Sequence, residues 1–568
     1  MRQTMQSNHS PEVSSTYSHL NANKSTESCA SSPSRKKPIS PKLRRSPSKL
    51  LTTPPAAENF HKRKMNSNEK SAEKMRRPNG FDSQPTNSND TNHLYNDNNM
   101  TEDHETSQSH SSRSTDYNSM LNLTPEVGSI EEGKRLFGIL MRPLQVTTFM
   151  EKHWEQQPLR VDRKCPDFYK DLLSSEVIDR MLRHNHVDFT KSIDIQFKDG
   201  NEVITPMGRA LPPTIWQYYS DGCGIKIVNP QTFLPAIHSM NATLQEYFQC
   251  MIDSNVHLSS KNSDGHAPRY DDIEIFVLQI EGKKHWRIYK PAHRHNVLSR
   301  EAKNVDPIGE PVLDVILRAG DLLYFPRGFI HETTTLADSH SLHLTLSMYR
   351  KQTYGDLLEI LVPMALKEAI NSNINLRKGL PLDIWQNMGV VNSDNYFRER
   401  DAVIAQIKDC FETVCRYVRA DTTLDNAVDQ MALRYQHDAL PPKLTADEEL
   451  RSVYGTKITS GEDGCPEYVY IELDTKIRLI RGNVVRMVMC DSGIRVYYSS
   501  ENSKDHHGFE ENYLEINPSD APAIEVLIKA YPLFITPADL QLESNDKSLC
   551  VAQDLWEKGI LMTDKPLV

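Results

Sequence analysis

Residues 340–349, HSLHLTLSMY, alternate between leucine and polar or small side chains. In an extended chain successive side chains point to opposite faces, so Leu342, Leu344 and Leu346 share one face and His343, Thr345 and Ser347 the other. A helix would scatter both sets around its circumference, so this spacing predicts a strand with one apolar and one polar face. The same period recurs in DFTKSIDIQF (188–197), GIKIVNP (224–230), DIEIFVLQI (272–280), HWRIYKP (285–291) and DLLYFP (321–326). Many short strands separated by Gly and Pro turns predict an antiparallel barrel or jelly roll rather than a parallel α/β sheet.

Helical spacing flanks this region on both sides. LFGILMRPLQVTTFMEKHW (136–154) carries Leu136, Ile139 and Leu140 on one stripe, with a second helix after the proline, from about Phe149 to Trp154. SSEVIDRMLRH (174–184) continues the pattern, with Ser174 or Ser175 as its N-cap. Helices return after residue 350. YGDLLEILVPMALKEAIN contains Pro363, and DAVIAQIKDCFETVCRYVR aligns Val403, Ile404, Ile407, Phe411, Val414 and Val418, a stripe suited to an intramolecular core or a dimer surface. The last 120 or so residues mix strands with helices, as in a winged-helix type of α+β module. The expected organisation is a basic, disordered tail (1–127), an N-terminal helical part (128–189), a jelly roll (190–352), a helical region (353–440) and a winged-helix-like domain (441–568).

The tail differs from the body in charge as well as in pattern. Its first 80 residues hold 16 Lys and Arg against 5 acidic residues, so a chain whose total is −10 carries −21 over the remainder. Ser, Asn, Thr and Pro dominate there, and such a segment cannot bury enough apolar surface to offset its ordering entropy. The clusters SRKKPISPKLRRSPSKL, HKRK and EKMRRP fit nuclear import or nucleic-acid contact through phosphates, or simply a solvated tail. Ser-Pro pairs at Ser32, Ser40 and Ser46 are placed for phosphorylation to lower that charge. Nine scattered cysteines without a C-x-x-C pair argue against a disulfide framework or a zinc cluster and for a reducing compartment. No apolar run of eighteen residues and no signal-like start suggest a membrane or secretion, so a soluble intracellular protein is expected.

Chemistry concentrates in two segments. HAPRYDDIEIF (266–276) places Arg269 and Asp271 two residues apart, on one face of a strand, and FPRGFIHETTT sets His331 just after a turn. A facial triad for Fe(II) needs His-x-Asp on one strand and a distant histidine on another, leaving positions open for cosubstrate and oxygen. Here the distant histidine is present and the first element reads Arg-x-Asp. Asp272 and Glu274 fall on the opposite strand face from Asp271, which disfavours paired-carboxylate hydrolysis. Lys283 and Lys284 also fit an exposed turn, His343 a hydrogen-bonded core histidine, and His506-His507 a polar surface loop. Neither a phosphate-binding G-x-x-x-x-G-K-[ST] loop nor a G-x-S-x-G elbow occurs.

The segments RLFGILMRPL, FMEKHWEQQPL, YDDIEIFVLQIEGKKHWRIY, EPVLDVILRAGDLLYFPRGFIHE, HSLHLTLS, LRKGLP and SVYG, in this order, resemble the JmjC-domain ribosomal oxygenases. The likeness covers roughly residues 130–568 and is nearest the family's nucleolar branch, credited with both lysine demethylation and histidyl hydroxylation. It implies an α+β architecture: a double-stranded β-helix (cupin, JmjC jelly roll), a helical dimerisation region, a C-terminal winged helix and a homodimer. It further implies Fe(II) and 2-oxoglutarate, action on the histone H3 tail and on a large-subunit ribosomal protein, repression at chromatin, and residence in the nucleus, in particular the nucleolus.

Carried over residue by residue, Asp271 and His331 fall on metal ligands, Lys284 on the lysine that pairs with the far carboxylate of 2-oxoglutarate, and Asn255 and Ser347 on polar cosubstrate-pocket positions. His343 lies beside them. Two positions depart from the pattern: Arg269 stands where the family has its first metal histidine, and His257 where it usually has a cosubstrate-binding tyrosine. A guanidinium offers no lone pair and pairs naturally with Asp271. Three explanations stay open at this point: an inactive relative keeping the scaffold for binding, a substitute ligand from His266 or His257, or an isolated His-to-Arg change.

Overall fold

The computed structural model describes residues 127–567, apart from 197–205, 262, 264, 292–297, 299–302, 305–308, 395–397, 457–458, 461–465, 468, 491 and 506–509. The expected basic tail, except Val127, and the His506-His507 doublet lie outside the described residues.

Helices α1 (Ser129–Met141) and α2 (Val146–Lys152) flank Pro143, and α3 (Ser175–His184) starts at Ser174, whose hydroxyl accepts from the Val177 amide at 3.2 Å. Phe137 of α1 and Phe149 of α2 are buried edge to face, 5.6 Å between centroids, and Phe149 meets Tyr324 at 4.9 Å. This aromatic contact, worth roughly 0.5–1.5 kcal/mol per pair beyond area burial, joins the helical entrance to the strands behind it.

Strands β1 (Leu159–Val161), β2 (Ile193–Gln196), β3 (Gly224–Val228), β4 (Ile252–Ser259), β5 (His266–Tyr270), β6 (Glu274–Tyr289), β7 (Lys303–Asn304), β8 (Leu313–Arg318), β9 (Leu322–Phe325), β10 (Ile330–Thr335) and β11 (Ser341–Met348) form one hydrogen-bonded system. Its main path runs β2-β3-β4-β11-β6-β10-β5-β7, antiparallel throughout. The 16-residue β6 belongs to both halves: Glu274–Gly282 pair with β11, and Lys284–Tyr289 with β10. The period-two alternation therefore gives the expected jelly roll, with the leucines of β11 in the core and its His343, Thr345 and Ser347 facing inward to a cavity.

Two details differ from the sequence reading. The segments 272–280 and 285–291 are parts of one strand, because Gly282 takes φ +64° and lets β6 bend without breaking. A Cβ there would stand 2.0 Å from the His340 carbonyl oxygen. Conversely, the strand expected to run through Asp271 stops at Tyr270 and restarts at Glu274, so Asp271 sits on a bend, its carbonyl accepting from the Gly328 amide at 3.0 Å. Glu274 is fully buried.

The helices after the jelly roll are α4 (Tyr354–Ser372), which continues through Pro363, α5 (Arg398–Val418) and α6 (Asp421–Asp438). The stripe on α5 divides: Val403 and Val414 are buried, whereas Ile407 and Phe411 are exposed. Beyond residue 440 a second core forms around Ile477, Leu479, Leu527, Leu555 and Leu561. It is built by a three-stranded sheet (Val485–Cys490, Gly493–Tyr498, Tyr513–Ile516), a two-stranded one and the helices Ala521–Ala530 and Asn545–Glu557, the winged-helix type of module expected.

Candidate functional site

A cavity of about 320 Å3 opens between the two halves of the jelly roll. On β10 and β5, His331 and Arg269 are direct cross-strand partners, so antiparallel pairing alone sets their side chains next to each other. Asp271, on the bend after β5, turns its carboxylate to the same point: Oδ2 lies 3.5 Å from His331 Nε2 and 4.0 Å from Arg269 Nε. His331 is 3% exposed and its ring packs against Phe325 at 4.7 Å. Burial, opposed in part by Asp271 and reinforced by Arg269, lowers its pKa to about 4, so the imidazole is neutral and offers a lone pair at ordinary pH.

The deeper wall comes from β4 and β11. His343 pairs with His257 and Thr345 with Asn255 across the ladder, and the two imidazoles stack at 4.8 Å. His266 meets His257 edge to face at 5.6 Å. Burial first, then the neighbouring histidines and the nearby Lys and Arg side chains, hold His257, His266 and His343 well below the usual histidine range. Asn255, His257, His266, Ser347 and His343 all line the cavity. Lys284 does not: it is 1% exposed, behind the wall, its ammonium donating to Ser259 Oγ at 3.1 Å. An exposed turn lysine is thereby ruled out, because β6 runs straight through this position.

Sequence reasoning missed Lys226, which lines the cavity from β3 opposite His257. Its signal was the alternation of GIKIV, where Ile225 and Ile227 enter the core and Lys226 takes the other face. Thr333, Trp286 and Tyr349 also line it.

The donor set fits an Fe(II) ion in two positions and not in the third. A carboxylate oxygen and a neutral imidazole nitrogen 3.5 Å apart can share one ion on adjacent coordination positions. Arg269, whose buried Nε has no hydrogen-bond partner among the described residues, occupies the third place with a donor-only group. Among the described residues no group of three or more His, Cys, Asp or Glu side chains is assembled to hold a metal, so neither His266 nor His257 completes the set.

Two stretches match known families: residues 226–357 the JmjC domain, and residues 440–567 the ribosomal oxygenase 1 C-terminal winged helix domain. The chain is 41% identical over 444 residues to the bifunctional lysine-specific demethylase and histidyl-hydroxylase NO66 of Drosophila willistoni, covering 77% of this chain and 58% of that protein. The proteins of the same name from Aedes aegypti and Culex quinquefasciatus are each 42% identical, over 76% and 78% of this chain and 68% and 69% of their own length. Among solved structures, E. coli ycfD aligns with a TM-score of 0.42 at 16% identity, over 74% of this chain and 98% of its own. A YcfD complex with cobalt and 2-oxoglutarate aligns with a TM-score of 0.39 at 16% identity, over 74% and 99%.

Burial, aided by the Arg269 charge, lowers the Lys284 pKa to about 8. Between about pH 8 and the unfolded value near 10.5 the unfolded chain holds this proton and the folded chain does not, so this residue makes stability rise with pH across that window. Below pH 8 both states are protonated and the whole penalty of burying the ammonium, on the order of 3 kcal/mol, is present. Lys284→Met is therefore expected to be more stable than the parent at pH 7 and to lose the rise between pH 8 and 10.5. Urea unfolding across that range measures both, and parallel profiles for the two proteins would contradict the assignment.

Proposed function

Because the chain belongs to the bifunctional lysine-specific demethylase and histidyl-hydroxylase NO66 family, we propose that it is an Fe(II)- and 2-oxoglutarate-dependent oxygenase. Its proposed substrates are methylated lysine of the histone H3 tail and a histidine of a large-subunit ribosomal protein, with a repressive role at chromatin. The observation that carries this reading is the Asp271–His331 pair, a carboxylate and a neutral imidazole 3.5 Å apart on the wall of a polar cavity. Asp271 Oδ2 and His331 Nε2 would hold the metal, which with 2-oxoglutarate and oxygen converts a substrate C–H to C–OH, yielding succinate and carbon dioxide; on an N-methyl group the product releases formaldehyde. Phe325 and Trp286 pack on His331 and keep water from its ring, while Asn255, Thr345 and Ser347 present polar groups to the cosubstrate. Lys284, buried one layer behind, adds positive charge behind the wall.

Arg269 sets the rate. A fixed cation beside two ligands competes with the metal for Asp271 and leaves one coordination position without a protein donor. Wild-type protein is expected to turn over 2-oxoglutarate with Fe(II) at least about tenfold more slowly than Arg269→His, a factor typical of a disturbed metal site. His266→Ala should leave the wild-type rate unchanged. Turnover confined to Arg269→His would sink the enzyme reading and favour the second one, for which Arg269 itself speaks: a non-enzymatic chromatin or ribosome-assembly factor built on an oxygenase scaffold.

The same reading includes a homodimer through α4 and α5, supported by the exposure of Ile407 (53%) and Phe411 (64%) on a helix whose Val403 and Val414 are buried. Ile407→Asp should convert the dimer to a monomer in gel filtration, and an unchanged elution volume would remove these helices from the interface.

Nuclear, in particular nucleolar, residence is proposed from the basic clusters between residues 34 and 78. A fluorescent fusion lacking residues 34–78 should spread through the cytoplasm where the full chain is nuclear; identical distributions would dismiss the clusters as an import signal.

A further inference from the structure

The cavity carries more positive charge than its own acid can balance. Among the residues that line it, Asp271 is the one carboxylate, against Lys226 and Arg269, and the buried Lys284 stands just behind. Neither lysine has an ion pair among the described residues; the ammonium of Lys284 rests on a neutral hydroxyl, Ser259 Oγ. Arg269 stays 4.0 Å from Asp271, at the limit of an ion contact, with its buried Nε unbonded. Two further buried polar atoms of the lining, His343 Nδ1 and Asn255 Oδ1, also have no hydrogen-bond partner among the described residues. Buried polar groups are nearly always hydrogen-bonded, so Arg269 Nε is available to donate to a polar group in the cavity, as is His343 Nδ1 when that nitrogen carries the proton, whereas Asn255 Oδ1 can only accept. The excess of Lys226 and Arg269 over Asp271 favours an anion as the partner of those donors.

The charges are also spaced for an elongated one. Arg269 lies on β5 and Lys226 on β3, with β4, β11, β6 and β10 between them along the sheet path, so the two lining cations reach the cavity from separate strands. An anion with a carboxylate at each end can meet both, while Lys284, held on Ser259 Oγ behind the wall, adds charge without touching it. We propose that this cavity binds a dicarboxylate of the 2-oxoglutarate class without a metal ion, Arg269 pairing with one carboxylate while Lys226 and Lys284 attract the other. The proposal rests on reading the cavity as the cosubstrate pocket. Arg269 then does more than remove a ligand: its guanidinium supplies the positive charge that a metal would bring to that carboxylate, and does so with a two-pronged donor that needs no cofactor.

The full chain is to be titrated calorimetrically with 2-oxoglutarate in excess EDTA and again with Mn(II). Wild type is expected to bind in EDTA with an affinity within about threefold of that in Mn(II), because Arg269 already fills the metal's electrostatic role. Arg269→His should lose at least about tenfold in EDTA, the worth of a charge-assisted pair, and regain affinity with Mn(II). Arg269→Lys should keep part of the metal-free binding, and thermal unfolding of each variant shows whether it is folded. A wild type that binds only with Mn(II), an Arg269→His that binds equally well in EDTA, or displacement by inorganic phosphate as strong as by succinate would overturn the proposal. The two readings fail separately: metal-free binding without turnover removes the oxygenase and leaves this site, and turnover without metal-free binding does the reverse.

Discussion

The buried ion pair of Glu274 and Arg327 is the contact on which the site's geometry depends. Glu274 is completely buried, its Oε1 accepting from Arg327 Nη1 at 2.5 Å and its Oε2 from the Tyr324 hydroxyl at 2.6 Å. Arg327 also reaches Glu155 at 2.8 Å, and the Glu155 amide donates to Tyr324. Glu274 lies three residues after Asp271 and Arg327 four residues before His331, so this network fixes the two short segments that present the carboxylate and the imidazole. Such a pair adds little net stability over apolar packing, yet removing one partner leaves an uncompensated buried charge costing about 3–5 kcal/mol. Its role is therefore geometric. It explains why the chain bends at 271–273 instead of continuing as a strand: Glu274 must turn inward to Arg327 while Asp271 faces the cavity.

The parts of the fold that were legible in the sequence are those whose two faces differ in polarity. HSLHLTLSM reads correctly because its leucines meet an apolar core and its polar residues a cavity. β4 escaped the reading for the opposite reason. In IDSNVHLS the inward face carries Asn255 and His257, and Ser254 on the core side bonds Asn241, so a strand buried on both faces looks like a polar loop. The helix Pro235–Phe248 was passed over although Ile237, Met240, Leu244 and Phe248 form an apolar stripe, because Asn241, Thr243, Gln245 and Glu246 on its other sides are buried as well. Gln245 spends its polarity on the backbone of Leu440, and Glu246 on Ser129 and Asn483. Polar side chains used internally blur the contrast between faces that sequence reading relies on.

The site was legible in its identities and less so in its depths. That Asp271, His331 and Arg269 converge follows from the cross-strand rung of β5 and β10, which no local pattern displays. The placement of Lys284 depended on whether residues 282–284 turn or run on, a choice made by one left-handed glycine. Lys226 shows how a single charged residue within GIKIV, easily taken for an edge-strand solvent contact, becomes part of a cavity once β3 is covered by β2 on one side and β4 on the other.

Replacing a histidine by arginine at this rung changes the kind of ligand the same backbone can hold. A neutral imidazole donates electrons to a metal, and the cavity then gains two positive charges when the ion arrives. A guanidinium carries its charge permanently, so the cavity is already positive before any ligand enters, and a second cation faces repulsion as well as a missing lone pair. Asp271 can serve only one of these partners at full strength. With Arg269 in place, the 4.0 Å approach of its Nε to Asp271 leaves the guanidinium held close by but not neutralised, and the four surrounding histidines, kept neutral by burial, add no charge to compete with it. The pocket's electrostatics thus favour an incoming anion over an incoming metal, although the walls that shape it are those of a JmjC domain.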